Sequence, residues 1–275
     1  MSPLLANVYL NELDWELQKK GIYFVRYADD FLLFADSEEE IENAGKFAKE
    51  VLEGLGLEIA MNKTKIVDFN KDDFDFLGYG FKHWKNRKKD NEPYFMVMPS
   101  EKNLKDFKKK IKDKTNRMWT KSKGEWIKDI NPIIRGKVNY YKNVMKAIHL
   151  NEKVGQKSHC SWKACIGDLH RMDSYIRQRL RVCMLHKHPH VRDGYKMTFC
   201  WNIEYFCKIG LIPCAWLYFC DEFDGYTIDV YVTRQTEKNR RNKQKYIEKL
   251  RSLGVEYYTK EVLIKMKHAR EARFA

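Results

Sequence analysis

The sequence predicts an α+β chain, mixed in its first ~99 residues and mainly helical over the next ~90. Three observations carry this reading. The hydrophobic spacing switches between strand and helix periods up to Pro99 and keeps a helical period after Ser100. The charge reverses near the same place. An aromatic, β-branched stretch interrupted by a short polar step, at residues 22–35, has the form of a hairpin. A length of 275 residues suits about two domains. The 44% apolar and 14% aromatic content is enough for a core and excludes wholesale disorder.

Each element follows from its residues. Ser2 as N-cap and Pro3 as first helical residue open a helix bearing Leu4, Leu5, Val8, Leu13 and Leu17, which Gly21 ends. Strands flank Ala28-Asp29-Asp30. Ile41, Ala44, Phe47, Ala48, Val51, Leu52 and Leu55 predict a helix over 38–55. Strands are expected at Thr64–Phe69, Phe74–Trp84 and Tyr94–Met98, with Lys85–Glu92 as a polar loop. Leu104, Phe107, Ile111 and Met118 share one face of a helix over Ser100–Met118, and lysines crowd its other faces. Asn131-Pro132 is read as the start of a further helix, and another is expected from Trp162 to His186.

The net charge is +14, unevenly placed. Residues 1–81 hold 8 Lys/Arg against 17 Asp/Glu, whereas residues 82–146 hold 20 against 7 and residues 147–275 hold 24 against 14. An acidic part is followed by a strongly basic one, and a basic surface of this size attracts phosphate backbones. No apolar run approaches the ~18 residues of a membrane-spanning helix. The first residues lack a secretory pattern, and the seven cysteines include no C-x-x-C pair. A cytoplasmic, bacterial-type protein with reduced thiols and no membrane partner is the expectation. Cys160, Cys165 and His170, five apart, do not share a helix face, and Cys200, Cys207, Cys214 and Cys220 lack the close pairs of structural zinc sites. His186, His188 and His190 alternate around Pro189, as in an exposed loop.

The sharpest chemical feature is Asp29-Asp30. Two adjacent carboxylates between apolar strands need compensation, and Mg²⁺ ions supply it with one or two carboxylates plus substrate phosphates. A bare Asp-Asp step, taken without its flanks, is ordinarily a solvated turn. Lys105, Lys108, Lys109, Lys112 and Arg117 form a cationic face. Arg117, Trp119, Lys121, Lys123 and Trp126 interleave charge with rings that can stack on bases.

The flanks sharpen the assignment. Arg26-Tyr27-Ala28-Asp29-Asp30-Phe31-Leu32-Leu33-Phe34 resembles the YxDD palm hairpin of reverse transcriptases. Residues 2–11 (SPLLANVYLN) resemble the palm helix before that hairpin, residues 56–64 (GLEIAMNKT) the family's GLxL…KT element, and Phe76-Leu77-Gly78-Tyr79 its FLGY strand. Residues 131–141 (NPIIRGKVNYY) and 172–177 (MDSYIR) resemble the thumb/maturase domain of group II intron-encoded proteins.

The resemblance implies a partial reverse-transcriptase palm over 1–99, an antiparallel sheet with helices. A helical thumb/maturase, RNA-binding domain would follow over 100–220, and then a basic extension over 221–275. It implies an RNA-directed DNA polymerase of a group II intron that also supports splicing. Asp29 is then a direct metal ligand and Asp30 a weaker or indirect one. Tyr27, Ala28, Phe76, Leu77, Gly78 and Tyr79 lie by the nucleotide or primer, and Lys63 approaches the triphosphate as a general acid. Lys105, Lys108, Lys109, Lys112, Arg117, Arg135 and Lys137 contact RNA. The implied cofactor is a two-ion Mg²⁺ site, incomplete in this chain, because the fingers and the palm strand carrying a third aspartate would precede Met1. Asp14 and Asp36 stand on the wrong elements to replace it. The expectation is that this chain alone is a weak or dead polymerase, either a truncated reading frame or the second half of a split protein. The implied partners are intron RNA, an RNA template with DNA primer, deoxynucleotides and a separate chain supplying the fingers. The alternatives are an RNA-binding splicing maturase or remnant without synthesis, and a retron or CRISPR-linked reverse transcriptase, against which residues 131–141 argue.

Overall fold

In the computed structural model the described residues are 3–252 apart from 61, 90–91, 118–119, 154–159, 162, 192–196, 199 and 222. Ser2, Trp119 and residues 253–275 of the basic extension lie outside them. The chain divides into two compact units, residues 1–103 with 150–165, and residues 104–149 with 166–275. The described residues are mostly helical with small sheets, compatible with the α+β class. No helix among them is long and apolar enough to cross a membrane.

In the first unit, α1 (Pro3–Lys19) and α2 (Glu38–Gly54) pack against a hairpin of β1 (Tyr23–Tyr27) and β2 (Asp30–Phe34). Leu10, Leu13 and Leu17 of α1 meet Ala48 and Leu52 of α2, with Phe24, Phe31 and Leu33 of the hairpin against them. Ser37 caps α2 by accepting the Glu40 N–H at 3.2 Å. Gly21, at φ +70°, ends α1 as its sequence position suggested.

The second sheet has the order β3 (Phe74–Phe76), β4 (Tyr79–Lys89), β5 (Glu92–Pro99), β6 (Cys160–Ser161). Its ladders are antiparallel except β5–β6. Three expectations are corrected by this sheet. Thr64–Phe69 forms no strand: only Val67 and Phe69 are partly buried, and Phe69 packs its ring on Phe74, His83 and Phe95 instead. Phe74–Trp84 is two strands, because Leu77 and Gly78 both take positive φ, 48° and 76°, and turn the chain back. A two-residue loop with both φ positive fits the strand twist of a hairpin. Lys85–Glu92 is mostly strand, with Lys88 opposite Pro93 and Lys89 opposite Glu92 beyond a bulge; backbone pairing outweighs the polar composition.

In the second unit, α3 (Glu101–Lys114) buries Phe107 and Ile111 and ends short of the predicted Met118. Its last turn is closed by Arg179, whose Nη2 donates to the Thr115 carbonyl at 2.7 Å, while the Thr115 hydroxyl donates to the Ile111 carbonyl at 2.6 Å. The long helix α4 (Lys123–Lys153) runs through Pro132, so Asn131-Pro132 is no helix start. The true start is a capping box: Ser122 Oγ accepts the Glu125 N–H at 3.3 Å and Glu125 accepts the Ser122 N–H at 2.6 Å. Asn131 is used differently, donating to the Gly210 carbonyl at 2.8 Å and accepting the Ile212 N–H at 3.2 Å.

Trp126, Ile130, Ile134, Val138 and Tyr141 of α4 are buried at helical spacing, as are Leu169, Met172, Ile176, Leu180 and Cys183 of α5 (Lys163–Lys187). After α6 (Ile203–Lys208) and α7 (Cys214–Phe219) comes α8 (Ile228–Ser252), which buries Tyr231 and Val232. Asp173 of α5 ties these pieces. Fully buried, it accepts the Cys214 and Ala215 N–H groups at 2.6 and 3.1 Å and the Tyr231 hydroxyl at 3.4 Å. Burial raises its pKa, against the pull of those N–H donors and Arg177.

Candidate active-site hairpin and basic helix

The β1–β2 ladder runs Tyr23–Phe34, Phe24–Leu33, Val25–Leu32, Arg26–Phe31 and Tyr27–Asp30. A two-residue loop, Ala28-Asp29, therefore closes it. Opposite residues in an antiparallel pair share a face. Phe24, Arg26, Phe31 and Leu33 thus look toward the helices. Tyr23, Val25, Tyr27, Asp30, Leu32 and Phe34 share the other face, where Tyr23 and Tyr27 are 80% and 67% exposed.

Asp29 and Asp30 are both exposed at the tip. Among the described residues no cation or hydrogen-bond donor engages either carboxylate. Two adjacent, unengaged oxygen donors suit a hard divalent ion that keeps waters and takes further ligands from phosphates. Among the described residues no group of three or more His, Cys, Asp or Glu is arranged to hold a metal, and the tip offers two adjacent carboxylates.

The tip is anchored from behind by Arg26, a residue of the hairpin motif to which sequence reasoning assigned no role. Arg26 Nε donates to Asp14 Oδ1 at 2.7 Å and Nη2 to Asp14 Oδ2 at 2.5 Å. Its Nη1 donates to Asn7 Oδ1 at 3.0 Å and to the Ala28 carbonyl at 2.9 Å. The bond to Asp14 raises the Arg26 pKa, while burial opposes it. The spacing of Asn7 and Asp14, two helical turns apart on one side of α1, is the signal that could have found this.

Lys63 is exposed in a turn where its N–H donates to the Ala60 carbonyl at 2.9 Å. Phe76 to Tyr79 form the β3–β4 turn. The Gly78 carbonyl accepts Asn103 Nδ2 at 2.9 Å and the Ser100 N–H at 3.0 Å. A Cβ on Gly78 would stand 2.2 Å from Asn103 Nδ2. Asn103 is a second residue that sequence reasoning missed. The structure gathers Tyr27, Ala28, Asp29 and Asp30 at one tip; Lys63 and Phe76–Tyr79 belong to other elements.

In the second unit Lys105, Lys108, Lys109 and Lys112 are exposed on α3 opposite Phe107 and Ile111. Lys108 also lies 5.8 Å from the Tyr175 ring centre. Arg117 and Arg135 are exposed. Lys137 is half-buried, its ammonium 5.5 Å from the Tyr141 ring centre, and burial followed by repulsion from Lys110 lowers its pKa. Trp126 is not available for stacking. It is buried in the core, with the Lys187 ammonium 5.3 Å from its ring centre.

A family model described as reverse transcriptase (RNA-dependent DNA polymerase) matches residues 1–81, and one described as group II intron, maturase-specific domain, matches residues 104–165. The retron Ec86 reverse transcriptase of Escherichia coli is 36% identical over 69 residues, 24% of this chain and 22% of that protein's length. The chain thus spans about a fifth of this curated relative. With a reverse-transcriptase match followed by a group II intron maturase-specific match, the chain is similar in both parts to group II intron-encoded reverse transcriptase/maturases.

Proposed function

We propose that this chain carries the nucleotidyl-transfer carboxylates and the RNA-gripping helices of an RNA-directed DNA polymerase that also assists splicing of its intron. The observation that carries this reading is the exposed hairpin tip with two adjacent, unengaged carboxylates. Asp29 and Asp30 hold Mg²⁺, Asp29 directly and Asp30 more weakly. When bound, the ions supply charge that favours the ionised 3′-hydroxyl of the primer and offsets the charge of the leaving pyrophosphate.

The other roles belong to protein groups. Tyr27 and Ala28 border the primer end or the incoming nucleotide. Lys63 offers charge and a proton to the pyrophosphate. Phe76, Leu77, Gly78 and Tyr79 support the primer strand from a stiff turn. Residues 1–99 act as palm and residues 100–220 as thumb and maturase. In the latter, Lys105, Lys108, Lys109, Lys112, Arg117, Arg135 and Lys137 take phosphates of the template–primer or the intron.

A further polypeptide segment completes the metal site. Two features support this. The described residues offer two carboxylates at the tip, and apolar side chains are left in solvent on α1 (Leu4, Leu5, Val8) and on the outer hairpin face (Tyr23, Val25, Phe34). A lone two-stranded sheet is marginal, and exposed apolar patches of this kind mark interaction surfaces.

The shortage of metal ligands also favours a second reading, a splicing maturase without synthesis. Primer extension on an RNA template, run beside a splicing assay with the segment that completes the palm supplied, separates the two. In the polymerase reading Asp29→Ala with Asp30→Ala abolishes synthesis and spares splicing. Absence of synthesis from the unsubstituted protein under these conditions leaves the maturase reading.

A further inference from the structure

We propose that Arg26, held by Asp14 and Asn7, is a positioning residue that sets the direction of the Asp29 and Asp30 carboxylates. This rests on reading the hairpin as the metal-holding tip. Ala28, the first loop residue, has φ +56°, and Asp29 is not among the positive-φ residues. A positive φ at the first loop residue alone is the type II′ pattern, in which glycine is the favoured residue. Alanine there is strained, because its Cβ crowds the backbone at positive φ. The alternative two-residue loop, type I′, differs by a flip of the peptide joining Ala28 to Asp29. That flip turns the Ala28 carbonyl to the other side and re-aims the Asp29 side chain.

Packing does not choose between the two loops, because Tyr27, Asp29 and Asp30 are exposed. One directional interaction does: the Ala28 carbonyl accepts Arg26 Nη1 at 2.9 Å. The guanidinium cannot follow the carbonyl if the peptide flips. Both Asp14 oxygens grip it as a fork, and Asn7 Oδ1 takes Nη1 at 3.0 Å. The guanidinium thus references the tip to α1. The fork has a second effect. With Asp14 neutralising it, Arg26 is turned away from Asp29 and Asp30, which stay open to a cation. Lysine, a single point donor, cannot reproduce this geometry.

The test uses isotope-labelled full chain and three readouts. These are the Asp29 HN–Hα coupling with its intraresidue NOE, which report the sign of φ there, amide exchange at Asp29 and Asp30, and Mn²⁺ affinity by EPR titration. Arg26→Lys is expected to shift the Asp29 coupling and NOE toward the positive-φ values, speed exchange about tenfold and weaken Mn²⁺ binding about tenfold. Asn7→Ala should move all three in the same direction by less. Leu52→Ala, which loosens the core of the same unit, should lower thermal stability and leave all three unchanged. Wild-type values in both Arg26→Lys and Asn7→Ala overturn the proposal. So does an equal response to Leu52→Ala, which marks the effect as general destabilisation. If Arg26→Lys fails to fold, Asn7→Ala against Leu52→Ala decides. Unsubstituted protein that binds no Mn²⁺ at the hairpin sinks the catalytic reading, whereas the coupling and exchange readouts still judge the latch.

Discussion

Gly78→Ala offers a perturbation whose cost can be worked out from two independent features of the turn. Gly78 sits at φ +76°, where an alanine costs about 1–1.5 kcal/mol. Its new Cβ would also stand 2.2 Å from Asn103 Nδ2. Asn103 must swing away and give up its 2.9 Å bond to the Gly78 carbonyl, a further ~1–1.5 kcal/mol. The total is ~2–3 kcal/mol. Asn103→Ala alone loses the bond to the Gly78 carbonyl, ~1 kcal/mol, while the Ser100 N–H still serves that carbonyl. In the double variant the clash is gone and only strain and the missing bond remain, ~2 kcal/mol. The two substitutions should therefore be sub-additive by ~1 kcal/mol. Native-state hydrogen exchange of β4 and β5 amides measures this locally. Gly78→Ala should speed exchange by roughly 30- to 150-fold, and the double variant should be no worse. Strict additivity, or a neutral Gly78→Ala, would refute the reasoning.

Three other outcomes follow from the same geometry. Asp173 is buried with a raised pKa, so the folded state holds its proton more tightly than the unfolded chain. Its contribution to the second unit is most favourable below the ordinary value of 3.8 and declines as pH rises from there through the folded pKa; Asp173→Asn should flatten this part of a stability–pH curve measured by urea unfolding. Asp173→Leu leaves the Cys214 and Ala215 N–H groups without their acceptor and should cost ~2–4 kcal/mol in the same assay. Replacing Lys105, Lys108, Lys109 and Lys112 by Gln should reduce the slope of log K against log salt for single-stranded RNA by ~0.7 for each phosphate no longer neutralised, with little change in melting temperature because all four are exposed.

The residues made some of this plain and hid the rest for physical reasons. The hairpin was legible because its strands alternate against a short polar step, and that period is local. The helices carried their own stripes, so α2 and α5 fell close to their expected bounds. The β3–β4 turn was hidden because Leu77 gives no hint of a positive φ, and only Gly78 permits the turn. The start of α4 was misplaced because Asn131-Pro132 imitates a cap, while Ser122 and Glu125 form the actual box. Trp126 looked like a stacking residue from its charged neighbours, yet tertiary packing buries it. The Arg26 anchor was beyond a local reading, since its partners lie 12 and 19 positions away.

The most direct trial of the central claim is a Mn²⁺ titration of the labelled chain, followed through paramagnetic broadening of backbone amides. Broadening is predicted to begin at residues 27–31 and to disappear in Asp29→Ala with Asp30→Ala, both of which sit in solvent and should leave the fold intact. Broadening that starts elsewhere, or that survives the loss of both carboxylates, would contradict the claim.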